Sequence, residues 1–400
     1  MSDKSEREKK TEIRISDIRL ERKDAHQLLS ATVDGETIWF RFPLDVPVRP
    51  RAEPFLPFCF FDAMDHGCPI VVEPGFPISR HILQNFSTLM DIYHSWNYNL
   101  KKVELVAESG DLEEPGEEVF CCYSGGIDST YSFAKHRGEI TSLLSLQGWD
   151  HGHTEQTWND GIRIRTAFAE SHGKKLIAVA TNGRQFLEDR KLSWSPLQGS
   201  ILGTMAITLN AKKLFIPSSF TYDNLFPWGT HPLIDVLWST ENTQIVHDGL
   251  EARRTEKTEY IARDQDLVDQ LQVCWQSPNS NCGKCSKCVR TSIVLDALNI
   301  ESKSLPSFKS TGDIKTLKFR TRSMMPFIED LILFMHRIGH KEHEKTLKKY
   351  RHSFIIADST HAIGKAILGN RARNLYNKLF PNPYFEKREG LIPHSSILDD

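Results

Sequence analysis

An apolar run, Val119 to Tyr123, leads directly into Ser124-Gly125-Gly126-Ile127-Asp128-Ser129-Thr130. Glycines at 125 and 126 remove the side chains that would keep an anion away from backbone N–H groups. A helix opening at Asp128-Ser129-Thr130 would add donors and a partial positive charge. The hydroxyls of Ser124, Ser129 and Thr130 extend the donor set. These residue types in this order are those of a phosphate-gripping turn. Asp128 is out of place against an anion unless it holds a cation there, and Mg2+ on a polyphosphate fits that role. The turn has neither the G-x-x-x-x-G-K-[ST] nor the G-x-G-x-x-G spacing, so it is not one of the two commonest glycine-rich phosphate motifs. The plain alternative is a strand–helix turn with a capping aspartate.

A second cluster follows at Cys274, Cys282, Cys285 and Cys288, spaced C-x7-C-x2-C-x2-C. Four thiolates at this spacing can enclose one tetrahedral Zn2+ and leave no open position for water. The expected role is structural, pinning a loop over the fold. Buried free thiols are the alternative.

The strand followed by SGGxDS(T) resembles the PP-loop of the N-type ATP pyrophosphatases, which cleave ATP between its α- and β-phosphates. Combined with C-x7-C-G-x-C-x2-C-x-R, ending at Arg290, it resembles the 7-cyano-7-deazaguanine synthase branch of that superfamily. In that branch the same cysteine spacing binds zinc, and a carboxylate becomes an amide and then a nitrile. Glu256-Lys257-Thr258-Glu259 is similar to the branch's K-x-E segment. The resemblance spans residues 117 to about 295. It implies an α/β fold: an adenine nucleotide α-hydrolase-like parallel sheet with helices on both faces, using ATP, Mg2+ and Zn2+. Ser124, Gly125, Gly126, Asp128, Ser129 and Thr130 would hold the nucleotide's phosphates. Backbone at Leu146, with Gln147 or Trp149 beside it, would meet adenine. Asp128 and Lys257 would be catalytic, the lysine neutralising charge on the α-phosphate or the leaving pyrophosphate. The branch's aromatic-Gly-Gln-Arg-His element is replaced here by Leu146-Gln147-Gly148-Trp149-Asp150-His151. Residues 1–112 and 301–400 have no counterpart in the short enzymes. The chain therefore looks more like the larger relatives in specialised biosynthesis and anti-phage defence, some of which are thought to modify a protein partner.

Ser218 to Glu241 is too long, and too rich in proline, tryptophan and hydroxyls, for a simple connection after a strand. Loops at strand carboxyl ends carry the chemistry in such sheets. Tyr222, Asp223, Trp228, His231, Asp235 and Glu241 are candidates to orient or deprotonate a nucleophile, and Trp228 or Trp238 to stack on a planar ring. His247, Asp248 and Glu251 are further candidates. Each taken alone is more readily a packing or capping residue than a catalytic one, and it is the loop as a whole that is expected to meet the substrate.

The elements that must position these groups follow from pattern. Asp34-Gly35 between two β-prone runs predicts a hairpin over residues 27–42. The prolines from Pro43 to Pro57 predict irregular backbone. Ile82, Phe86, Leu89, Tyr93 and Trp96 form one helical stripe. The acidic stretch 108–118 reads as a linker, and residues 1 to about 12 as disordered. Strand–helix alternation from Val119 to Pro217 predicts a parallel sheet. The expected organisation is a small N-terminal α+β accessory domain (1–112), a nucleotide domain with its zinc site (113–300), and a helical basic C-terminal region (301–400). Residues 301–400 carry eighteen Lys plus Arg against eleven Asp plus Glu, about +7 in a chain whose net charge is −2. That balance argues against binding nucleic acid by bulk charge. The polar N-terminus and the lack of a long apolar run argue against secretion or a membrane span, so a cytoplasmic protein is expected. A homodimer is compatible with the chain.

The function expected is adenylation of a carboxylate with release of pyrophosphate. The acceptor would be a deazaguanine-like small molecule or a protein, and ammonia or an amine would supply nitrogen. Two other readings stay open: a tRNA-modifying sulfur transferase, and a non-catalytic ATP-binding scaffold.

Overall fold

The computed structural model describes residues 10–110, 116–148, 154–277, 279–308, 314, 317 and 325–368, with side chains through 356. In the N-terminal part, β1 (Ile13–Arg22), β2 (Gln27–Val33) and β3 (Glu36–Phe42) form an antiparallel meander. Asp34 (φ 50°) and Gly35 (φ 84°) make the two-residue turn between β2 and β3, the backbone shape that Asp-Gly favours. Next come α1 (Leu56–His66), β4 (Ile70–Val72), β5 (Ile78–Ser79), α2 (Arg80–Trp96), β6 (Leu105–Val106) and β7 (Ser109–Gly110). The proline-rich segment is less irregular than expected. Pro54 and Pro57 occupy the first turns of a 3-10 turn and of α1, where no N–H is needed and the fixed φ suits the helix. Of the predicted linker, Ser109 and Gly110 pair with β5, while 111–115 lie outside the described residues, as do 1–9 of the predicted disordered start.

The remaining elements alternate. They are β8 (Val119–Cys122), α3 (Ile127–Lys135), β9 (Ser142–Leu146), α4 (Glu155–Ser171), β10 (Lys175–Thr181), α5 (Gly183–Asp189) and α6 (Gln198–Thr208). After them come β11 (Lys213–Pro217), α7 (Pro232–Asp235), β12 (Gln244–Asp248), α8 (Arg254–Ile261), α9 (Gln265–Asp269) and α10 (Ser286–Ala297). The helices α11 (Met325–Arg337) and α12 (Lys341–Leu368) follow. No helix among the described residues is long and apolar enough to cross a membrane.

All the main strands join one mostly parallel sheet in the order β12-β11-β8-β9-β10-β3-β2-β1-β4-β6. From β12 to β10 every pairing is parallel. Arg41 and Phe40 of β3 pair antiparallel with Ala180 and Thr181 of β10, which couples the N-terminal meander to that parallel half. Side-chain alternation sends successive strand residues to opposite faces. Phe120, Cys122, Leu144, Leu146, Leu214 and Ile216 meet α1, α2 and α6 on one face. Cys121, Tyr123, Leu143 and Phe215 meet α3, α4, α8 and α9 on the other. A third apolar cluster joins α10 to α11 and α12.

Chain order within the parallel half reverses between β8 and β11, because β9 and β10 lie to one side of β8, and β11 and β12 to the other. Connections leaving these two adjacent strands diverge, the arrangement that in such sheets places the ligand crevice at the carboxyl ends. The turn 124–130 follows β8, and the long loop from Ser218 follows β11.

Candidate functional site

The turn after β8 is built around Gly125, whose φ of +79° is left-handed. A Cβ at that position would stand 3.0 Å from the Gln272 Cβ, so conformation and space both select glycine. Ser129 Oγ donates to the Gly126 carbonyl at 3.1 Å and accepts from the Ser124 N–H at 3.3 Å. These bonds hold the turn against the first residues of α3. The N–H groups of that first turn have no carbonyl partner within the helix.

Asp128 projects from α3 into a set of cations. Its Oδ2 accepts from Arg254 Nη1 at 2.7 Å and from Ser219 Oγ at 3.2 Å, and its Oδ1 lies 3.5 Å from Lys257 Nζ. Burial would raise the carboxyl pKa, but Arg254, Lys257 and Lys287 outweigh it and bring it down to about 2. Lys257 is buried, donates to the Ser218 carbonyl at 2.6 Å, and crosses Gly249, where a Cβ would stand 3.2 Å from its Nζ. Burial lowers its pKa, and Asp128 works against that. Arg290 is buried close by, its pKa drawn down to about 9 by burial and by Arg254. Around this point Arg254, Lys257, Lys287 and Arg290 interact with the carboxylates Asp128, Asp330 and Glu251.

Helix α8 supplies two of the three cations, and α11 fixes its start. Asp330 accepts from the Thr255 N–H at 3.0 Å and from its hydroxyl at 2.6 Å, capping the helix from outside. Arg254 and Ser219 were not anticipated from sequence. The readable signal for Arg254 was its position three residues before Lys257, which puts both on one helical face.

The four cysteines converge as their spacing predicts. Their Sγ atoms all lie within 4.8 Å of one another, with Cys274–Cys285 at 3.8 Å and Cys285–Cys288 at 3.5 Å. Thiolates about 2.3 Å from a tetrahedral Zn2+ would be about 3.8 Å apart. Backbone N–H groups of Gln276 and Ser277 point to Cys274 Sγ, and those of Lys284 and Cys285 to Cys282 Sγ. Donors at those positions stabilise anionic sulfur. The cluster can hold a metal ion such as zinc.

Asn281 was also not anticipated. Buried beside the cluster, it accepts from the Val273 and Cys274 N–H groups and donates to the Leu271 and Ser304 carbonyls, all between 2.8 and 3.1 Å. Gln272, on the strap so held, donates to the Gly125 carbonyl at 2.8 Å, so the thiolate loop braces the glycine turn. Replacing Asn281 with alanine orphans four backbone groups. We expect a loss of about 3 kcal/mol, read as a lower urea midpoint at unchanged slope. A loss under about 0.5 kcal/mol would show that the strap does not depend on these bonds.

The other expected site residues are scattered. Tyr222 is exposed. Asp223 accepts from Thr221 Oγ1 at 2.5 Å and Arg253 Nη2 at 2.7 Å, tying its loop to the start of α8. Trp228 packs with Phe220 and Phe226. His231 is buried on the opposite face of the sheet, its Nδ1 accepting from the Leu233 N–H and its ring against Trp96. Asp235 accepts from His247 Nδ1 at 2.7 Å on that same face. Trp238 cannot stack on a ligand ring, because it is fully buried and stacked on Phe60. Glu241 caps α2 through Ser79 and the His81 N–H. Asp248 takes bonds from Ser132, Lys135 and His136, and Glu251 from Tyr131 and Lys135. Leu146 ends β9 with its side chain buried, paired with Val179, whose carbonyl takes the Gln147 N–H. Trp149, Asp150 and His151 lie outside the described residues.

No protein-family model, curated protein or solved structure matches the chain.

Proposed function

We propose that this chain is an ATP-dependent adenylating enzyme of the PP-loop kind, akin to the larger 7-cyano-7-deazaguanine synthase-like proteins. One observation carries the reading. A left-handed glycine turn, a helix N-terminus and the buried cations Arg254 and Lys257 meet at Asp128, in the crevice where strand order reverses. Such a place suits a polyanion.

In this reading the turn's N–H groups and the exposed Ser124 hydroxyl hold the two phosphates that leave together, while the hydroxyl of Ser129 braces the turn and Thr130 is buried. A carboxylate oxygen of the acceptor attacks the α-phosphorus, the bond to the α–β bridging oxygen breaks, and pyrophosphate departs. Lys257 and Arg254 neutralise the charge gathering on the phosphates. Asp128, expected from its sequence position to hold Mg2+, is taken up by Arg254, Lys257 and Ser219, so its role in this reading is to orient those cations. Ammonia or an amine then displaces AMP and forms an amide. Where ammonia is the donor, a second ATP would activate the oxygen of the primary amide with release of pyrophosphate, and loss of both N–H protons and AMP would give a nitrile. The acceptor is a deazaguanine-like molecule or a protein carboxylate, and biosynthesis or anti-phage defence is the corresponding setting.

The test is ATP–pyrophosphate exchange with candidate acceptors. Exchange that needs acceptor and falls at least about a hundredfold in Asp128→Ala supports the reading. Tight ATP binding without exchange or AMP release, even with a defence-system or biosynthetic partner present, favours the scaffold. Sulfur transfer is less well supported, since Cys121 and Cys122 are buried and burial pushes both thiols up, away from the nucleophilic thiolate.

A further inference from the structure

Away from the crevice, a second group of metal-ligating side chains meets where α10 ends and α11 turns into α12. Asp296 lies in the last turn of α10, His340 in the connection after α11, and His343 in the first turn of α12. One ligand atom from each lies within 4.8 Å of the other two. Gly339, left-handed at φ +76°, makes the reversal that brings His340 back toward α10. The three-residue spacing of His340 and His343 keeps them on one side of the helix start.

The imidazoles are the informative part. His343 is buried, with its side chain 7% exposed, and among the described residues its Nδ1 has no hydrogen-bond partner, while its Nε2 has only a long contact to Asp296. Among the same residues, His340 Nδ1 is also buried without a partner. The two rings are 4.0 Å apart between centroids. His343 Nε2 is 3.5 Å from Asp296 Oδ2, too far for a sound hydrogen bond. Buried polar nitrogens are rarely left this way, because each unsatisfied one costs about 1–3 kcal/mol. One nitrogen of each ring converging with a carboxylate is better explained by an ion between them than by packing.

We propose that Asp296, His340 and His343 bind a divalent transition-metal ion, of which Zn2+ suits the two-nitrogen, one-oxygen donor set best. Three protein ligands leave a fourth position for water or a further group. The ion would tie the α11–α12 turn to α10. It would lie about 12 Å along that helix from Cys288, eight residues at about 1.5 Å each. One helix would then carry ligands to both metals, and the second metal would lock in place α11, whose Asp330 caps the cation-bearing helix α8.

Elemental analysis of the purified full-length protein tests this. The wild-type chain should hold about one equivalent of zinc more than His340→Ala and Asp296→Asn. His352→Ala, a change further along α12, should lose none. Asp296 is exposed, so its substitution leaves the fold intact even if a change at buried His343 does not. On replacing zinc with cobalt, the lost equivalent should absorb without thiolate-to-metal charge transfer, which separates it from the cysteine cluster. Equal metal content in wild type, His340→Ala and Asp296→Asn would overturn the proposal. So would loss only of a metal with thiolate absorption.

Discussion

Replacing Lys257 with methionine should leave the protein folded and slow pyrophosphate release by about two to three orders of magnitude. Methionine keeps most of the stem and removes the charge. Lys257 lies in a buried channel over Gly249 and beside Tyr131, so no solvent ion can readily replace it. Its ammonium also bonds the Ser218 carbonyl. Losing that bond should cost about 1–3 kcal/mol of stability, which a thermal melt would register separately from activity. The informative comparison is Lys257→Arg, which retains charge but not shape. If methionine lowered the melt but slowed turnover by less than about tenfold, Lys257 would be a structural lysine and the proposed charge neutralisation would lie elsewhere.

Removing metal from the cysteine cluster should have the second largest effect. Where metal is held at about a thousandfold over its dissociation constant, its loss costs about 4 kcal/mol, or roughly 10 °C in melting temperature for a domain of this size. Cys288→Ser should reproduce the shift, since Cys288 is fully buried on α10 and a serine oxygen is a poor zinc ligand. The loss should reach the glycine turn as well, through Gln272 and its bond to the Gly125 carbonyl. Hydrogen exchange at residues 124–130 should therefore quicken when the metal is stripped. Unchanged exchange there, with a lowered melt, would mean that the thiolate loop stabilises its own surroundings only.

How far the site could be read from residues alone depended on whether the contacts were local. The Ser124 to Thr130 turn, the Asp34-Gly35 hairpin and the cysteine cluster are specified within a few positions, by φ requirements or by ligand chemistry, and each is present. The parallel sheet was visible in strand–helix alternation. Arg254 and Ser219 were not, because their partner Asp128 lies 126 and 91 positions away, and Asn281, whose partners are within 23 positions, carries no pattern that marks it as a brace. The loop from Ser218 to Glu241 misled for the opposite reason. Its chemistry-bearing residues look alike in sequence, yet the sheet divides them between two faces, so Ser219 meets Asp128 while His231 and Asp235 do not. The prolines at 54 and 57 misled because proline ends a helix from within but begins one readily.

The short pairing of Phe40 and Arg41 with β10 has a practical consequence for dissecting this protein. Without it, the carboxyl end of β10 at Ala180 and Thr181 would present unpaired N–H and C=O groups, an invitation to aggregate, and the apolar cluster that α1, α2 and α6 share would be split. A fragment cut after residue 110 should therefore be insoluble, and chimeras are better made by swapping surface loops than by exchanging halves.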